Sequence, residues 1–540
     1  MKKIIIIYLI VTANLVSAQV TQEWVATYTG TGMGGYFADK AAVDKFGNFI
    51  VAGRGGFDNT DYILLKYNSY GNLLWSRNYN GLVNNEDWFR DMVLDDSGNV
   101  YMTGSSYEGA VNGHLNWATV KYSPDGVLRW EKSLDWTGHT GDVPFSICLD
   151  KNRNVLVTGY CFVGPVIYND DIVIAKYSND GALLWARSYN GSGTWDDWGY
   201  SVVTDDSCNA YVSGYSKLST NDTFNVIVTI KYDAGGNQRW VKEFLRASPE
   251  YAIPLFSKID KENNVIVCGN YNGNTDFVTL KFSNNGSLLW SRYFNGVGNN
   301  LDFCNSMFID DSCNIYLAGR SQTISSWSDI LTIKYLSNGD TSWIRYYDDG
   351  INEPDEAKSI TVDNDHNVYL TGRAFNFTTG DDFITLKYDL HGKLLWNKKY
   401  SPSLTNIAYG IGIDKYNNIY IAGYRDSPTF PAIDCIKYSQ LTDIKQINLN
   451  EQSKEFDLYN YPNPFNSETS VYYSIPYNAI VKIIIYDNLG KELSILLDEY
   501  KLSGKYKLRM NIGQLASGVY FYSLFVDNKL IKNYKLIQIK

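Results

Sequence analysis

Five aspartates are spaced so that a repeated fold would gather them. Asp87, Asp142, Asp197, Asp302 and Asp355 each stand eight residues before a second aspartate, which recurs throughout the chain. Asn406 holds the same place once, while Tyr36 and Ala252 break the pattern. Each of the five enters an apolar strand. If those strands were innermost in a ring, the carboxylates would meet near one end of a central channel. Like charges so placed repel one another unless they are paired or bridged by a cation, and an all-oxygen donor set suits calcium. The competing reading is that each carboxylate accepts hydrogen bonds from its own loop or links adjacent units.

Other chemistries find little support. His114, His139, His366 and His391 share no repeat position and form no H-x-x-x-H pair, which argues against a zinc hydrolase. There is no G-x-S-x-G elbow. The glycine-rich GTGMGGY (30–36) lacks the lysine and the strand-to-helix setting of a phosphate loop. No catalytic residue and no organic cofactor is indicated. Seven cysteines, none in C-x-x-C spacing, leave at least one unpaired in a monomer. Cys208 and Cys313 share a turn position, and Cys304 is placed to approach Cys313, which allows one disulfide. A net charge of −10 gives no electrostatic footprint for nucleic acid or anionic lipid.

The elements that must position these residues come from two alternating motifs. The first is Asp-x3-Asn-x4-Gly, as in LDDSGNVYMTG (94–104) and IDKYNNIYIAG (413–423). Its aspartate recurs eight times: Asp44, Asp95, Asp150, Asp205, Asp260, Asp310, Asp363 and Asp414. The second is Lys-(Tyr/Phe)-x3-Gly-x3-Trp, as in KYNSYGNLLW (66–75), and it is complete seven times, ending at Trp75, Trp130, Trp185, Trp240, Trp290, Trp343 and Trp396. Both read as hairpins, with apolar strands flanking a short Asp/Asn/Ser/Gly turn. In the second, the aromatic and the tryptophan lie four residues either side of glycine, which predicts near cross-strand neighbours. One unit is then four strands, the size of a propeller blade.

The ends of the array complement each other. Trp24 has the following VATYTG (25–30) of a Trp strand but no Lys-Tyr strand before it, and Lys437-Tyr438 has no Trp strand after it. The orphan strand is expected to complete the last unit and close a β-propeller over 19–440. Eight repeats predict eight four-stranded blades, with seven the alternative. The strand before the motif aspartate is taken as innermost and the Trp strand as outermost. The repeated aspartates and lysines (Lys66, Lys121, Lys176, Lys231, Lys281, Lys334, Lys387, Lys437) read as structural, because an active site is normally asymmetric. The aspartate is expected to bond its turn, and the lysine to pair with a carboxylate between sheets.

D-x-x-G-N-x-Y-x-x-G beside D-F-x-T-x-K-Y resembles the secreted bacterial β-propeller (SBBP) repeat over about 21–440. That resemblance implies the fold and no particular reaction. Gly-x3-Trp also resembles quinoprotein docking repeats, but Tyr67 and Tyr177 replace their aspartate. SPDGVLRW (123–130) and SNDGALLW (178–185) lack the spacing and the threonine of sialidase Asp boxes.

Lys2 and Lys3, the apolar Ile4–Val16 and Val16-Ser17-Ala18 read as a cleaved signal peptide over 1–18. No later apolar run is long enough to predict a membrane span in the mature chain. Residues 441–455 read as a polar linker. Alternating strands over 456–540 predict a small Ig-like β-sandwich. Its Tyr461-Pro462-Asn463-Pro464-Phe465-Asn466, Tyr486-Asp487-Asn488-Leu489-Gly490, Ser517-Gly518-Val519-Tyr520-Phe521-Tyr522 and Lys535-Leu536-Ile537 resemble, in order, the motifs of type IX secretion C-terminal sorting domains. The resemblance implies periplasmic transit, recognition by the type IX machinery at the outer membrane, and a secreted or cell-surface location. The working expectation is a non-catalytic binding or structural propeller for an extracellular glycan or protein. The alternative is a carbohydrate-active hydrolase or lyase using carboxylates at one mouth of the channel.

Overall fold

The structure is a computed structural model. It describes residues 20–440 and 455–539, less 31–33, 57–58, 82, 109–113, 137–140, 164–169, 194, 218–224, 245–251, 272–275, 298–299, 323–326, 351–352, 404, 428, 467 and 512–514. The signal-peptide and nearly all of the linker expectations therefore lie outside the described residues. Two compact units divide at Ser439/Gln440.

The first unit contains eight four-stranded antiparallel sheets among the described residues. Seven are consecutive in sequence: blade 1 (35–79), 2 (87–134), 3 (143–189), 4 (197–244), 5 (252–294), 6 (302–347) and 7 (355–400). In blade 8, the strands Asn406–Ile413, Ile419–Arg425 and Ala432–Gln440 are completed by Val20–Tyr28, the orphan Trp24 strand. The first strands of neighbouring blades pack against one another, so they are innermost.

Each motif aspartate builds its turn. Asp44 Oδ1 accepts the N–H groups of Phe46 and Asn48 at 2.9 and 2.8 Å, and Oδ2 accepts Asn48 Nδ2 at 2.8 Å. The same three bonds recur at Asp95, Asp150, Asp205, Asp260, Asp310, Asp363 and Asp414. A buried carboxylate satisfied this way specifies the reversal without a ligand.

The lysine expectation needs correcting. Lys66, Lys176 and Lys281 pair at 3.2, 2.9 and 2.8 Å with the motif aspartate of their own blade, not one between sheets. What crosses to the next blade is a hydrogen bond from the same ammonium to a turn carbonyl, Lys66 to Pro124 and Lys281 to Ser337, both 3.1 Å. The tryptophan indole donates to that same carbonyl: Trp75 to Pro124 at 3.2 Å, Trp185 to Ala234 at 3.0 Å, Trp290 to Ser337 at 3.2 Å.

The aromatic pairing is also between blades rather than within the hairpin. A bulge after the lysine sets Lys66 opposite Trp75 and Tyr67 opposite Leu73, so the two rings leave opposite faces of the sheet. The tryptophan meets the tyrosine of the following blade instead: Trp185–Tyr232 at 6.2 Å and Trp343–Tyr388 at 6.2 Å.

Between blades the apolar residues form eight buried clusters among the described residues, each shared by two neighbouring blades. One of them joins Tyr420, Ala422, Ile433 and Cys435 of blade 8 to Tyr36, Val51, Ile63 and Tyr67 of blade 1. The polar anchors recur there too: Trp24 Nε1 and Lys437 Nζ reach Ser69 O at 3.0 and 3.1 Å. The last and first blades thus share the contacts that other neighbours share.

The motif glycine serves the same joint. Gly236 has φ +81°, and a Cβ there would lie 2.7 Å from Trp185 Cδ2 of the preceding blade. Gly236→Ala is expected to destabilise the propeller by about 2–4 kcal/mol through backbone strain and overpacking. Gly235→Ala, whose Cβ would meet nothing closer than 3.4 Å, should stay within about 0.5 kcal/mol. Denaturant titration of the two variants checks this; equal effects would refute the role of the close approach.

The second unit has a three-stranded sheet (Asp457–Tyr461, Glu468–Ile475, Gly504–Asn511) and a four-stranded one (Glu492–Lys501, Ala479–Tyr486, Gly518–Val526, Lys529–Gln538). Their alternating apolar residues, among them Val471, Val481, Ile483, Leu508 and Leu524, share one core. Asn463 of the Tyr-Pro-Asn-Pro-Phe motif holds the last strand, donating to Lys535 O at 2.8 Å and accepting Ile537 N–H at 2.9 Å.

Candidate functional site

The two ends of the propeller differ in kind. At one end every connection is a tight repeated turn. At the other, the connections between second and third strands range from three residues after Asn376 to seven after Phe162, Lys217 and Ser321. Variable length on a fixed scaffold is the usual home of binding residues.

The five aspartates sit at this end, and each is buried. They hold their own loops. Oδ2 of Asp87, Asp197 and Asp302 accepts the N–H of Gly81, Gly191 and Gly296, each at 2.6 Å, and Asp142 and Asp355 accept from Trp136 and Asp349 at 3.1 and 2.9 Å. The second oxygens of Asp142 and Asp355 accept from Phe162 and Phe375 at 3.1 and 3.2 Å. Asp87 and Asp355 also tie to the preceding blade by donating their N–H to Thr60 O and Ser328 O. No three acidic, histidine or cysteine side chains gather as a metal-binding group among the described residues.

Burial pushes these carboxyls up, Asp142 to about 6 and Asp197 and Asp355 to about 7. Folding therefore takes up protons. The stability these groups contribute is fully present below their unfolded values near pH 4 and is lost as pH rises through 6–7. The turn aspartates act in the opposite sense. Burial raises Asp95, Asp150, Asp205 and Asp310, but hydrogen bonds outweigh it and lower them overall, so their contribution is lost as pH falls below about 4. Melting followed from pH 3 to 9 should show highest stability between about pH 4 and 6. A flat profile from 5 to 8 would contradict the assignment.

A second feature of the innermost strands was not visible in sequence. All eight carry a bulge at the same place, between Ala38 and Lys40 in blade 1 and at the equivalent step in the others. The bulged residue is left out of the ladder and re-aimed. Around the ring it is Asp39, Arg90, Phe145, Tyr200, Leu255, Asn305, Lys358 and Tyr409, so the backbone feature repeats while its side chain does not. Beside them stand the residues that follow the glycine of Asp-x3-Asn-x4-Gly, including Arg54, Tyr160, Tyr215, Arg320, Arg373 and Tyr424.

Two sectors result. In blades 3 and 4, Phe145 stacks on Tyr200 (4.8 Å, 23°) and Tyr160 on Trp198 (4.6 Å, 18°), with Tyr215 5.5 Å from Trp198. Phe145, Tyr160, Trp198 and Tyr200 are half-buried. Trp198 is fixed by its indole N–H to Asp170 Oδ2 at 2.9 Å, and the Arg90 guanidinium lies 5.5 Å from the Phe145 ring. The other sector is charged. Glu356 accepts from Lys358 at 2.8 Å, Arg373 at 3.3 Å and Asn305 at 2.9 Å, and Arg373 also reaches Asp381 at 3.2 Å. Tyr409 and Tyr424 stack at 6.2 Å, and Arg54 lies over Phe37 at 5.5 Å.

The carboxyls of the mouth are tuned apart. Burial lifts Asp39 to about 6 against the pull of Arg54, Lys40 and Arg90. Burial acts on Glu356 in the same sense, but Lys358, Arg320 and Asn305 outweigh it and keep Glu356 below its ordinary value. Burial also lowers Arg90, whose Nε is enclosed without a hydrogen-bond partner.

Residues 459–540 match the family described as "Secretion system C-terminal sorting domain". These residues are a sorting domain. Joined to the eight blades, it indicates a secreted or cell-surface propeller. Over 423 residues the chain is 23% identical to an uncharacterized WD repeat-containing protein of Acanthamoeba polyphaga mimivirus, covering 68% of this chain and 26% of that protein's length. Among solved structures it is similar to the β-propeller domain of the Trilobed protease from Pyrococcus furiosus (9% identity, 66% of this chain and 97% of that one, TM-score 0.39). It is also similar to an α-L-arabinofuranosidase from Fusarium graminearum (13% identity, 52% and 87%, TM-score 0.34). No helix among the described residues is long and apolar enough to cross a membrane.

Proposed function

We propose that the propeller is a non-catalytic binding module for an acidic glycan, displayed or released outside the cell and engaging its ligand at the bulge-lined mouth. The observation that carries this reading is the bulge itself: eight identical re-aimed positions whose side chains range over acid, cation, amide, aliphatic and aromatic, on sheets and tight turns that repeat from blade to blade. Repetition serves the fold, and departure from it at one mouth serves recognition. The stacked pairs Phe145–Tyr200 and Tyr160–Trp198 offer rigid ring surfaces for the apolar faces of sugars. Arg54, Arg90, Arg320 and Arg373 ring the same opening on a chain whose net charge is −10, and guanidinium groups match carboxylate geometry. Lys358 adds a further cation.

The test is a glycan array probed with the secreted protein. Uronate-bearing or sulfated polymers should be retained and neutral ones not, and binding should weaken as salt rises from 50 to 500 mM, values chosen to span roughly threefold in screening length. Retention of neutral glycans alone would overturn the acidic assignment.

One observation favours a second reading, a glycan hydrolase or lyase. Asp39, raised toward neutrality, and Glu356, held ionised, are the opposed protonation states that acid–base cleavage uses. Release of reducing ends from a retained polymer, abolished by Asp39→Asn with binding intact, would establish that reading in place of the first.

A further inference from the structure

Seven cysteines are distributed over the blades, and the structure brings two of them together. Cys268, on the second strand of blade 5, and Cys304, on the first strand of blade 6, have their Sγ atoms 3.3 Å apart, closer than two unbonded sulfurs ordinarily pack. Both are fully buried in the cluster shared by the two blades. The approach of Cys304 to Cys313 that the sequence allowed does not occur: Cys313 occupies the left-handed position of a turn (φ +60°), at the other end of its blade from Cys304. Cys208 takes the equivalent turn position and accepts a hydrogen bond from Asn152 Nδ2 at 3.3 Å. Cys161 faces the Asp142 carboxylate and Cys435 faces Tyr67.

We infer that Cys268 and Cys304 are joined by a disulfide in the exported protein, stapling blade 5 to blade 6. All seven thiols are free in the structure, and this gap exceeds the bonded 2.03–2.05 Å by little more than an ångström. A protein carrying a sorting domain leaves the reducing cytoplasm, and disulfides form and persist in the oxidising compartments beyond it. The oxidant is a disulfide-bearing thiol oxidoreductase or small-molecule disulfide. One cysteine thiolate attacks it to give a mixed disulfide, releasing one thiolate of the oxidant. The second cysteine thiolate then attacks the protein sulfur of that bond and expels the other. Two thiols are oxidised, one disulfide is reduced, and the two protons leave with the reduced oxidant. Because both sulfurs are buried in the finished fold, the exchange belongs to the stage before blades 5 and 6 pack.

The test is alkylation of the full exported chain with N-ethylmaleimide under denaturing, non-reducing conditions. Five thiols should be labelled, rising to seven after reductant, and peptide mapping should link the Cys268 and Cys304 peptides. Seven labelled without reductant, or a bond between any other pair, would overturn the inference. Reduction should lower the melting temperature by about 3–5 °C. The double variant C268A/C304A should be insensitive to reductant. A wild-type protein equally insensitive would also count against the bond, whatever the variant's own stability.

Discussion

Deleting residues 19–30 is expected to abolish the cooperative folding of the propeller or lower its melting temperature by roughly 10 °C or more. The segment is the fourth strand of blade 8, hydrogen-bonded to Ala432–Gln440. It supplies Val20 and Trp24 to two inter-blade clusters and joins Thr27 to Asp434 at 2.6 Å and Glu23 to Ser439. Without it, Ala432–Gln440 becomes an exposed edge with unpaired backbone groups, the usual template for aggregation. Gly71 and Ser69 of blade 1 also lose the indole that packs on one and bonds the other. The single variant Trp24→Ala isolates that last contribution and should cost about 3–5 kcal/mol. Light scattering and thermal melting of the deleted protein provide the check. A monomeric deletion product with unchanged melting would show that the N-terminal strand does not close the ring.

The second large effect concerns location. Deleting residues 456–540 should leave a folded propeller that no longer reaches the cell surface or the medium. Each unit has its own core, so the loss should be one of address and not of fold. With the N-terminal Lys2–Lys3 and Ile4–Val16 segment intact, the truncated protein should collect in the periplasm. Fractionation followed by immunoblotting reads this directly, and normal levels outside the cell would remove the sorting role. Asn463→Ala, which frees the final strand from its clamp on Lys535 and Ile537, tests whether export needs the ordered strand or only its sequence.

What could be read from the sequence was what repeats. The Asp-x3-Asn-x4-Gly and Lys-Tyr-x3-Gly-x3-Trp motifs are local, so their turns, the blade size and the complementary ends followed from spacing. Contacts between blades were misread where partners are distant in the chain. Tyr67 and Trp75 look like partners until the bulge turns them to opposite faces. Cys304 looks closest to Cys313 until Cys268 arrives from another blade. The bulge was hidden altogether, because an extra residue in one strand shows only against its partner's register. Its occupants, from Asp39 to Tyr409, share no residue type that could have marked the position. The five buried aspartates stood out for the opposite reason: they repeat, and the structure shows them binding backbone N–H groups as repeated residues do.

The central claim is that recognition resides in the bulge-lined mouth. The most direct test is affinity for one uronate oligosaccharide, measured by calorimetry on wild-type protein and on Y160A/W198A, with melting recorded alongside. Trp198 and Tyr160 are half-buried and face each other, so truncating both removes one of the two stacked pairs while leaving the ladder of blades 3 and 4 intact. The account predicts affinity at least about tenfold weaker, with the melting temperature within a few degrees of wild type. Unchanged affinity in a folded double variant would contradict it and place recognition elsewhere on the protein.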